Sequence, residues 1–173
     1  MRPAAALALV ALLAAGCGDD EDASDATTST SGEGTTTTAV PLPEEPPLID
    51  DAESGSGCTP GADELPDGWW YGTVDGPVTS EVTFDLACYY LGAAAEAEAS
   101  SRGDEVNNDY YVVNDNPQLR TIDVAGDATA SCVRLGAGVE TVDCSPAEVT
   151  GEWAVWLRVQ DGEVDRIVEQ YAP

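Results

Sequence analysis

The most informative chemistry in this 173-residue chain lies in its five cysteines. Cys17 stands alone near the start, and four more follow at Cys58, Cys88, Cys132 and Cys144. Those four are separated by 30, 44 and 12 residues without a C-x₂-C pair, which argues against a thiolate zinc site. An even number favours two disulfides, which can connect in three ways. We favour Cys132–Cys144 with Cys58–Cys88, because the turn signal at 136–138 would fold Cys132 back onto Cys144.

The first seventeen residues predict export. Arg2 precedes an apolar run from Ala4 to Ala15 that is too short to span a bilayer. The ending Leu13-Ala14-Ala15-Gly16-Cys17 resembles a bacterial lipobox, although its leucine stands four residues before the cysteine rather than three. The resemblance implies a lipoprotein signal peptide over residues 1–16, cleavage before Cys17 and diacylation of that cysteine. We therefore expect a lipid-anchored protein on the extracytoplasmic face of the cell membrane. The alternative is an ordinary cleaved signal peptide that contains a cysteine.

Composition excludes several classes of function. The chain has 33 Asp and Glu against 6 Arg and no Lys, and its net charge of −27 repels nucleic-acid phosphates. It has no His, which removes imidazole bases and imidazole metal ligands. It also lacks a glycine-rich phosphate-binding motif. We expect no nucleic-acid partner, no cofactor and no enzymatic activity.

Oxygen-bearing side chains are concentrated just before Pro117. Asp109, Asn114, Asp115 and Asn116 offer the hard oxygen ligands that suit Ca²⁺. The same residue types also build turns before a proline. We favour the turn interpretation, so the four residues are weak calcium candidates and no metal site is expected.

Other charged residues give weaker signals. Asp85 and Glu169 are candidates for the paired carboxylates of a glycosidase, which requires one acid with a raised pKa at a defined separation from its partner. Nothing in the sequence marks such a pair, so we expect both to be solvated or paired with arginine. Arg120 and Arg134 are rare cations among many acids. We expect each to be an ion-pair partner rather than an anion-binding group.

The composition changes near residue 57. Residues 17–57 comprise the lipidated cysteine and an acidic Thr- and Pro-rich stretch without aromatic residues, which predicts a disordered tether. Residues 58–173 contain all four Trp and all six Tyr and are predicted to form a single globular domain. This domain holds 22 acids and 5 Arg, a charge of −17 whose self-repulsion the disulfides are expected to offset.

Hydrophobic periodicity predicts an α+β fold. Aromatic and β-branched runs predict strands at 69–74, 82–86, 110–113, 119–124 and 128–135. The Ala- and Glu-rich segment Ala93–Arg102, followed by Gly103, predicts one short helix. We expect a small antiparallel sheet or partly open barrel packed on this helix. The tryptophans are expected to form its core rather than a ligand groove: Trp69, Trp70, Trp153 and Trp156.

The C-terminus predicts a β-hairpin. Glu152–Gln160 and Glu163–Tyr171 flank Asp161-Gly162, a strong signal for a two-residue turn. Such a turn would align five cross-strand pairs: Val159–Val164, Leu157–Arg166 and Val155–Val168 on one face, with Arg158–Asp165 and Trp156–Ile167 on the other. These faces hold only for a two-residue loop, since a slip of one residue inverts them.

Four sequence blocks resemble a family of uncharacterised exported bacterial proteins and lipoproteins. They are Val82–Ala87, Asn108–Tyr111, Asn114–Thr121 and Asp161–Tyr171. The family has no established activity and its usual pattern lacks these cysteines, so the resemblance implies export and domain limits only. We expect a non-enzymatic envelope lipoprotein whose domain is an interaction or structural module with an unknown partner. The alternatives are an extracytoplasmic ligand- or calcium-binding domain and a carboxylate-based envelope hydrolase.

Overall fold

β-Strands are the main regular structure of the described residues, and one α-helix accompanies them. The computed structural model describes residues 41–60 and 64–172. The elements in chain order are β1 Glu53–Ser54, β2 Gly68–Val74, β3 Glu81–Leu91, α1 Gly92–Arg102, β4 Tyr110–Val113, β5 Leu119–Leu135, β6 Val139–Cys144, a 3₁₀ turn at Pro146–Glu148, β7 Ala154–Gln160 and β8 Glu163–Gln170. The expected signal peptide, the Cys17 lipidation site and tether residues 17–40 lie outside the described residues.

Five strands form a closed circuit, which we call the ring. β3 pairs with β2, β2 with β7, β7 with β8, β8 with β5, and β5 returns to β3. Every neighbouring pair is antiparallel except β5 and β8, which run parallel. A circuit with an odd number of strands cannot alternate direction throughout, so one parallel pair is a necessity here. The sheet is therefore mostly antiparallel, as expected, but mixed, because β5 and β8 run parallel.

The longest strand replaces two predicted ones. β5 runs unbroken from Leu119 to Leu135, whereas the sequence indicated separate strands at 119–124 and 128–135. Its first part pairs with β3 and its last part with β6. The glycine at position 126 does not produce a turn, and the pairing with β8 instead shifts register between Val124 and Thr129. β5 thereby links two different parts of the sheet.

The helix begins one residue earlier than predicted and ends where the sequence indicated. α1 ends at Arg102 before Gly103 and contacts β3 and β4, burying Ala95 and Ala99. Its first turn is capped from a distant segment, because the Ala93 amide donates to Asp51 Oδ1 at 2.8 Å. Within residues 41–60 and 64–172, no helix has the length and apolar character needed to cross a membrane.

The C-terminal hairpin has its predicted two-residue turn but a different register. Val159 pairs with Val164 as expected, and Arg158 forms its expected ion pair with Asp165, at 2.8 Å between Nε and Oδ1. A bulge at Arg158 and Val159 then shifts every later pair, so Leu157 lies opposite Ile167 rather than Arg166. The shift has a physical reason, since the predicted register would have placed an arginine among core residues. The observed pairs are Leu157–Ile167, Trp156–Val168 and Val155–Glu169.

The two faces of the ring bury different kinds of side chain. Alternate residues of β3, such as Val82, Phe84 and Leu86, enter an interior built mainly from aliphatic groups. Ala87 and Tyr89 of the same strand point to the other face. There they join Trp69 and Tyr71 of β2 and Trp156 of β7 in the outer aromatic cluster. Three tryptophans are fully buried, as a core role requires: Trp69, Trp70 and Trp156. Trp153 is only partly buried, and its ring lies 5.4 Å from that of Tyr171.

Residues 41–57, which we call the N-terminal cover, pack on the outer aromatic cluster. Pro43 O accepts a hydrogen bond from Trp69 Nε1 at 2.9 Å. β1 pairs with β3, and Ser54 within it is buried. The predicted disordered tether is therefore wrong over residues 41–57. The cover is held by main-chain hydrogen bonds and polar side chains, which composition alone does not reveal.

Candidate functional site

Both predicted disulfides are present. Cys58 is bonded to Cys88, and Cys132 is bonded to Cys144 across β5 and β6. The first bond fastens the end of the N-terminal cover to β3. Glu53 lies beside this bond, with its carboxylate within 4.8 Å of both sulfur atoms. Because these sulfurs are oxidised, they are not the thiolate ligands that zinc requires.

The four calcium candidates do not converge on one site. Asp109 and Asn114 flank opposite ends of β4, which places them about 16 Å apart along an extended strand. Asn114 donates from Nδ2 to Asp85 Oδ2 at 2.9 Å, and Asp115 forms an ion pair with Arg102 at 2.8 Å. Asn116 accepts the Gln118 amide in a local turn at 3.1 Å. A side-chain hydrogen bond, an ion pair and a turn thus account for Asn114, Asp115 and Asn116, three of the four candidate side chains.

The two carboxylates considered as a catalytic pair are separated. Asp85 lies opposite Leu119 at the start of β5, whereas Glu169 Oε2 accepts the Val133 amide near its end, at 2.7 Å. Glu169 is only 5% exposed, so the expectation that it is solvated or paired with arginine is wrong. Burial raises the pKa of Glu169, although the Val133 hydrogen bond opposes that change. The two acids cannot act together on one glycosidic bond.

Most arginines have acidic partners. Arg134 Nη2 lies 3.3 Å from Glu148 Oε1, as the sequence predicted. Arg158 bonds Asp165 through both Nε and Nη2, and its guanidinium lies over the Trp69 ring at 5.9 Å. Arg120 is the exception, because no described carboxylate lies within 4.0 Å of its guanidinium nitrogens. The expectation of an ion pair at Arg120 is therefore wrong among the described residues.

Arg120 lines a cavity of about 420 Å³ at the start of β5. Its side chain points to the same face as Phe84, its cross-strand partner, and the residue is only 6% exposed. The sequence carried a signal for this placement. Arg120, Ile122 and Val124 are spaced two residues apart, so their side chains lie on the same face of β5. Ile122 and Val124 pack against the interior, and Arg120 faces the same way. Sequence reasoning missed this placement because it assigned Arg120 an acidic ion-pair partner and did not apply the period-two pattern to it.

Two other cavities have less distinctive walls. One of about 490 Å³ lies beside the Cys58–Cys88 disulfide, and the Arg102–Asp115 ion pair lines it. The other, of about 470 Å³, lies between the start of α1 and the loop 104–109, and its charged walls are acidic. The charges lining the first cavity are already paired, and those lining the second are solvent-exposed acids.

Three tyrosines extend the outer aromatic cluster beyond its tryptophans. The rings of Tyr71 and Tyr89 lie 4.7 Å apart, and Tyr110 stacks on Tyr89 at 5.5 Å. Burial raises the pKa of Tyr71 well above its usual value, and the neighbouring phenols raise it further. Burial also raises the pKa of Tyr89, so the Tyr71 and Tyr89 hydroxyls stay protonated at neutral pH and serve as packing groups rather than as bases.

Comparison with known proteins identifies no relative of this chain. No family model, curated protein or solved structure matches it. The resemblance to exported lipoproteins therefore stays a prediction.

Proposed function

We propose that this protein is a lipid-anchored extracytoplasmic module that binds a partner or ligand and catalyses no reaction. The supporting structural observation is that all four cysteines of residues 58–172 are paired in disulfides. Such bonds persist in oxidising compartments and are rare in the cytosol. The lipobox-like sequence before Cys17 supplies an independent argument for the same compartment.

The non-catalytic part of the proposal rests on chemistry. The chain has no His, and its Cys58, Cys88, Cys132 and Cys144 thiols are oxidised. Asp85 on β3 and Glu169 on β8 lie beside opposite ends of β5. Nucleophilic and general-base mechanisms both need an activated group beside the substrate. The buried Glu169 has a raised pKa, but it bonds a main-chain amide between paired strands.

Replacing the proposed lipidation site tests the anchor. We expect Cys17→Ser to move the protein from the membrane fraction to the soluble fraction, because two or three acyl chains are needed for stable attachment. Fractionation and mass measurement of the N-terminal peptide report the change. Cys144→Ser is the matched control, since it makes the same substitution at a disulfide cysteine and should leave the protein membrane-bound. Full membrane retention of Cys17→Ser would contradict the anchor.

A further inference from the structure

Arg120 is a buried cation without a counter-charge among the described residues. Within residues 41–60 and 64–172, its hydrogen bond runs from Nη1 to Gln118 O at 3.0 Å, and its buried Nε meets no acceptor there. Burying a guanidinium without an anion is costly, and natural proteins normally pair or solvate such a group. The net charge of −27 makes the missing partner more unusual, because carboxylates are abundant in this chain. A site that keeps an unpaired arginine beside a cavity is prepared for an anionic ligand.

The cavity beside Arg120 also contains a free strand edge. Residues 119–123 of β5 pair with β3 along one edge. Along the other edge, pairing with β8 begins only at Val124. Among the described residues, the gap is bordered by Glu64, Leu65 and Gly162 rather than by a paired strand. Main-chain amide and carbonyl groups in such a gap can pair with an extended peptide.

The charges around the cavity are arranged by depth. Arg120 is buried on the inner face of β5, whereas Glu64, Glu81 and Asp123 are exposed at the cavity wall. Because side chains alternate along a strand, Glu81 and Asp123 lie on the outer face, across the strand edge from Arg120. Glu81 lies opposite Asp123 in the register of β3 and β5, so two carboxylates adjoin there. This arrangement disfavours a small inorganic anion, which the outer carboxylates would repel. It suits a ligand that presents a carboxylate inward and a positive charge outward.

We propose that the Arg120 cavity binds a short extended peptide by its free C-terminal carboxylate. Arg120 pairs with that carboxylate, the peptide backbone lies along residues 119–123, and the ligand's amino group faces Glu81 and Asp123. A volume of about 420 Å³ lies within the range of small-ligand pockets and limits the enclosed part to a few residues. The inference specifies what the proposed extracytoplasmic module binds. It fails separately from membrane attachment, which Cys17→Ser tests.

Calorimetric titration of the oxidised full chain with three matched peptides tests the proposal. The probes are alanyl-alanyl-leucine, its C-terminal amide and its N-acetyl derivative. We expect saturable binding of the free tripeptide, and binding of the amide weakened by more than about tenfold, because the charged hydrogen bonds to Arg120 are lost. Acetylation should weaken binding by a smaller factor, since it removes only the attraction of exposed carboxylates.

Substitutions at Arg120 supply the second arm of the test. Arg120→Met should abolish binding without lowering the melting temperature, because an apolar side chain replaces an unpaired buried charge. Arg134→Met, on the same strand but exposed and paired with Glu148, should leave binding unchanged. Arg120→Lys keeps the charge but loses the planar fork, and it should weaken binding even if the methionine variant fails to fold.

Three results would overturn the proposal. They are no saturable binding of the free tripeptide at millimolar concentration, equal affinity for the amide, and undiminished affinity in both Arg120→Met and Arg120→Lys. Equal affinity for the acetylated peptide would overturn the role assigned to Glu81 and Asp123.

Discussion

The two faces of the ring are buried by different means. The aliphatic interior is enclosed by the five strands themselves, so each strand supplies both the side chains and their cover. Among the described residues, no second sheet packs against the outer aromatic cluster, and residues 41–57 cover it. The contrast teaches that a face rich in tryptophan and tyrosine can depend on a segment that contributes few apolar side chains of its own.

The N-terminal cover is attached mainly through its backbone. The Ser56 amide donates to Trp69 O at 2.7 Å, and the Leu91 amide donates to Ala52 O at 3.0 Å. Gly55 lies so close to the cluster that a Cβ there would fall 2.5 Å from the Trp156 ring. Glycine is required at this position both for space and for its φ of +76°. One two-residue strand, a few main-chain hydrogen bonds and one close approach therefore shield large rings from water.

Removing the cover should produce the largest effect. A chain that begins at Cys58 keeps both disulfides but exposes Trp69 and Trp156. Exposing roughly 200 Å² of ring surface would cost about 5 kcal/mol, which corresponds to a fall in melting temperature of more than about 10 °C. Thermal unfolding measured by circular dichroism checks this. A chain that begins at residue 41 is the control and should melt like the full mature protein.

A pair of glycine substitutions sharpens the same test. Gly55→Ala and Gly76→Ala impose alanine at similar φ values, +76° and +81°, but only Gly55 has neighbours within 4 Å. Both variants suffer the backbone cost, and only Gly55→Ala must also displace Trp156 or the cover. Equal melting temperatures for the two variants would contradict the proposal that the N-terminal cover stabilises the fold by shielding the outer aromatic cluster. An unchanged melting temperature on deleting residues 1–57 would contradict it as well.

An intermediate effect is expected from the interior carboxyl group. Burial raises the pKa of Glu169 in the folded state, so its stabilising contribution exists at low pH and is lost as pH rises through that pKa. Glu169→Gln should therefore raise the melting temperature at pH 7, and the gain should vanish below about pH 4, where the glutamate is protonated in both states. Melting curves across this pH range measure it. A gain that is independent of pH would contradict the assignment.

Glu148 provides a control of opposite sign. The Ser145 amide and hydroxyl donate to its Oε2 at 2.9 and 3.0 Å, and they lower its pKa in the folded state. Its stabilising contribution is present above the unfolded pKa and is lost as pH falls through the folded pKa. Glu148→Gln should therefore lower the melting temperature at pH 7, in contrast to Glu169→Gln.

The smallest effect is expected from calcium. The loops at the two ends of β4 lie outside both buried faces, and three of the candidate oxygen ligands already have partners in the protein. Ca²⁺ should raise the melting temperature no more than Mg²⁺ at equal ionic strength, because both act by screening a net charge of −27. A specific site would add about 2.7 kcal/mol at a hundredfold excess over its dissociation constant. A calcium-specific rise that Asp115→Ala removes would establish such a site.

Local features of the fold were predictable from the sequence. The helix ending before Gly103, the Asp161-Gly162 turn and the Cys132–Cys144 bond all depend on residues close together in the chain. The hairpin bulge was not predictable from the turn, because it is set by the need to place Ile167 rather than Arg166 in the interior. Tertiary packing decides such shifts, and the pairing partners of β7 and β8 come from distant strands.

The candidate site was missed for a different reason. Arg120 lies on the same strand face as the apolar residues Ile122 and Val124, yet arginine side chains are exposed in most proteins. The N-terminal cover was missed because its composition is that of a flexible segment, and main-chain hydrogen bonds do not depend on composition. Buried polar groups and backbone docking are the features that sequence patterns encode least.

The Cys58–Cys88 disulfide limits which residues unfold when a mechanical force pulls on the N-terminus. A pulling force applied N-terminal to residue 41 would break the contacts between the N-terminal cover and the ring in sequence order, starting from Pro43. At Cys58 the force passes through the covalent bond to Cys88, which lies within β3 and pairs with Val113 of β4. The segment 59–87, which includes β2, therefore carries none of the pulling force and is not unfolded by it. A stretched chain would uncover its aromatic face while keeping its interior closed.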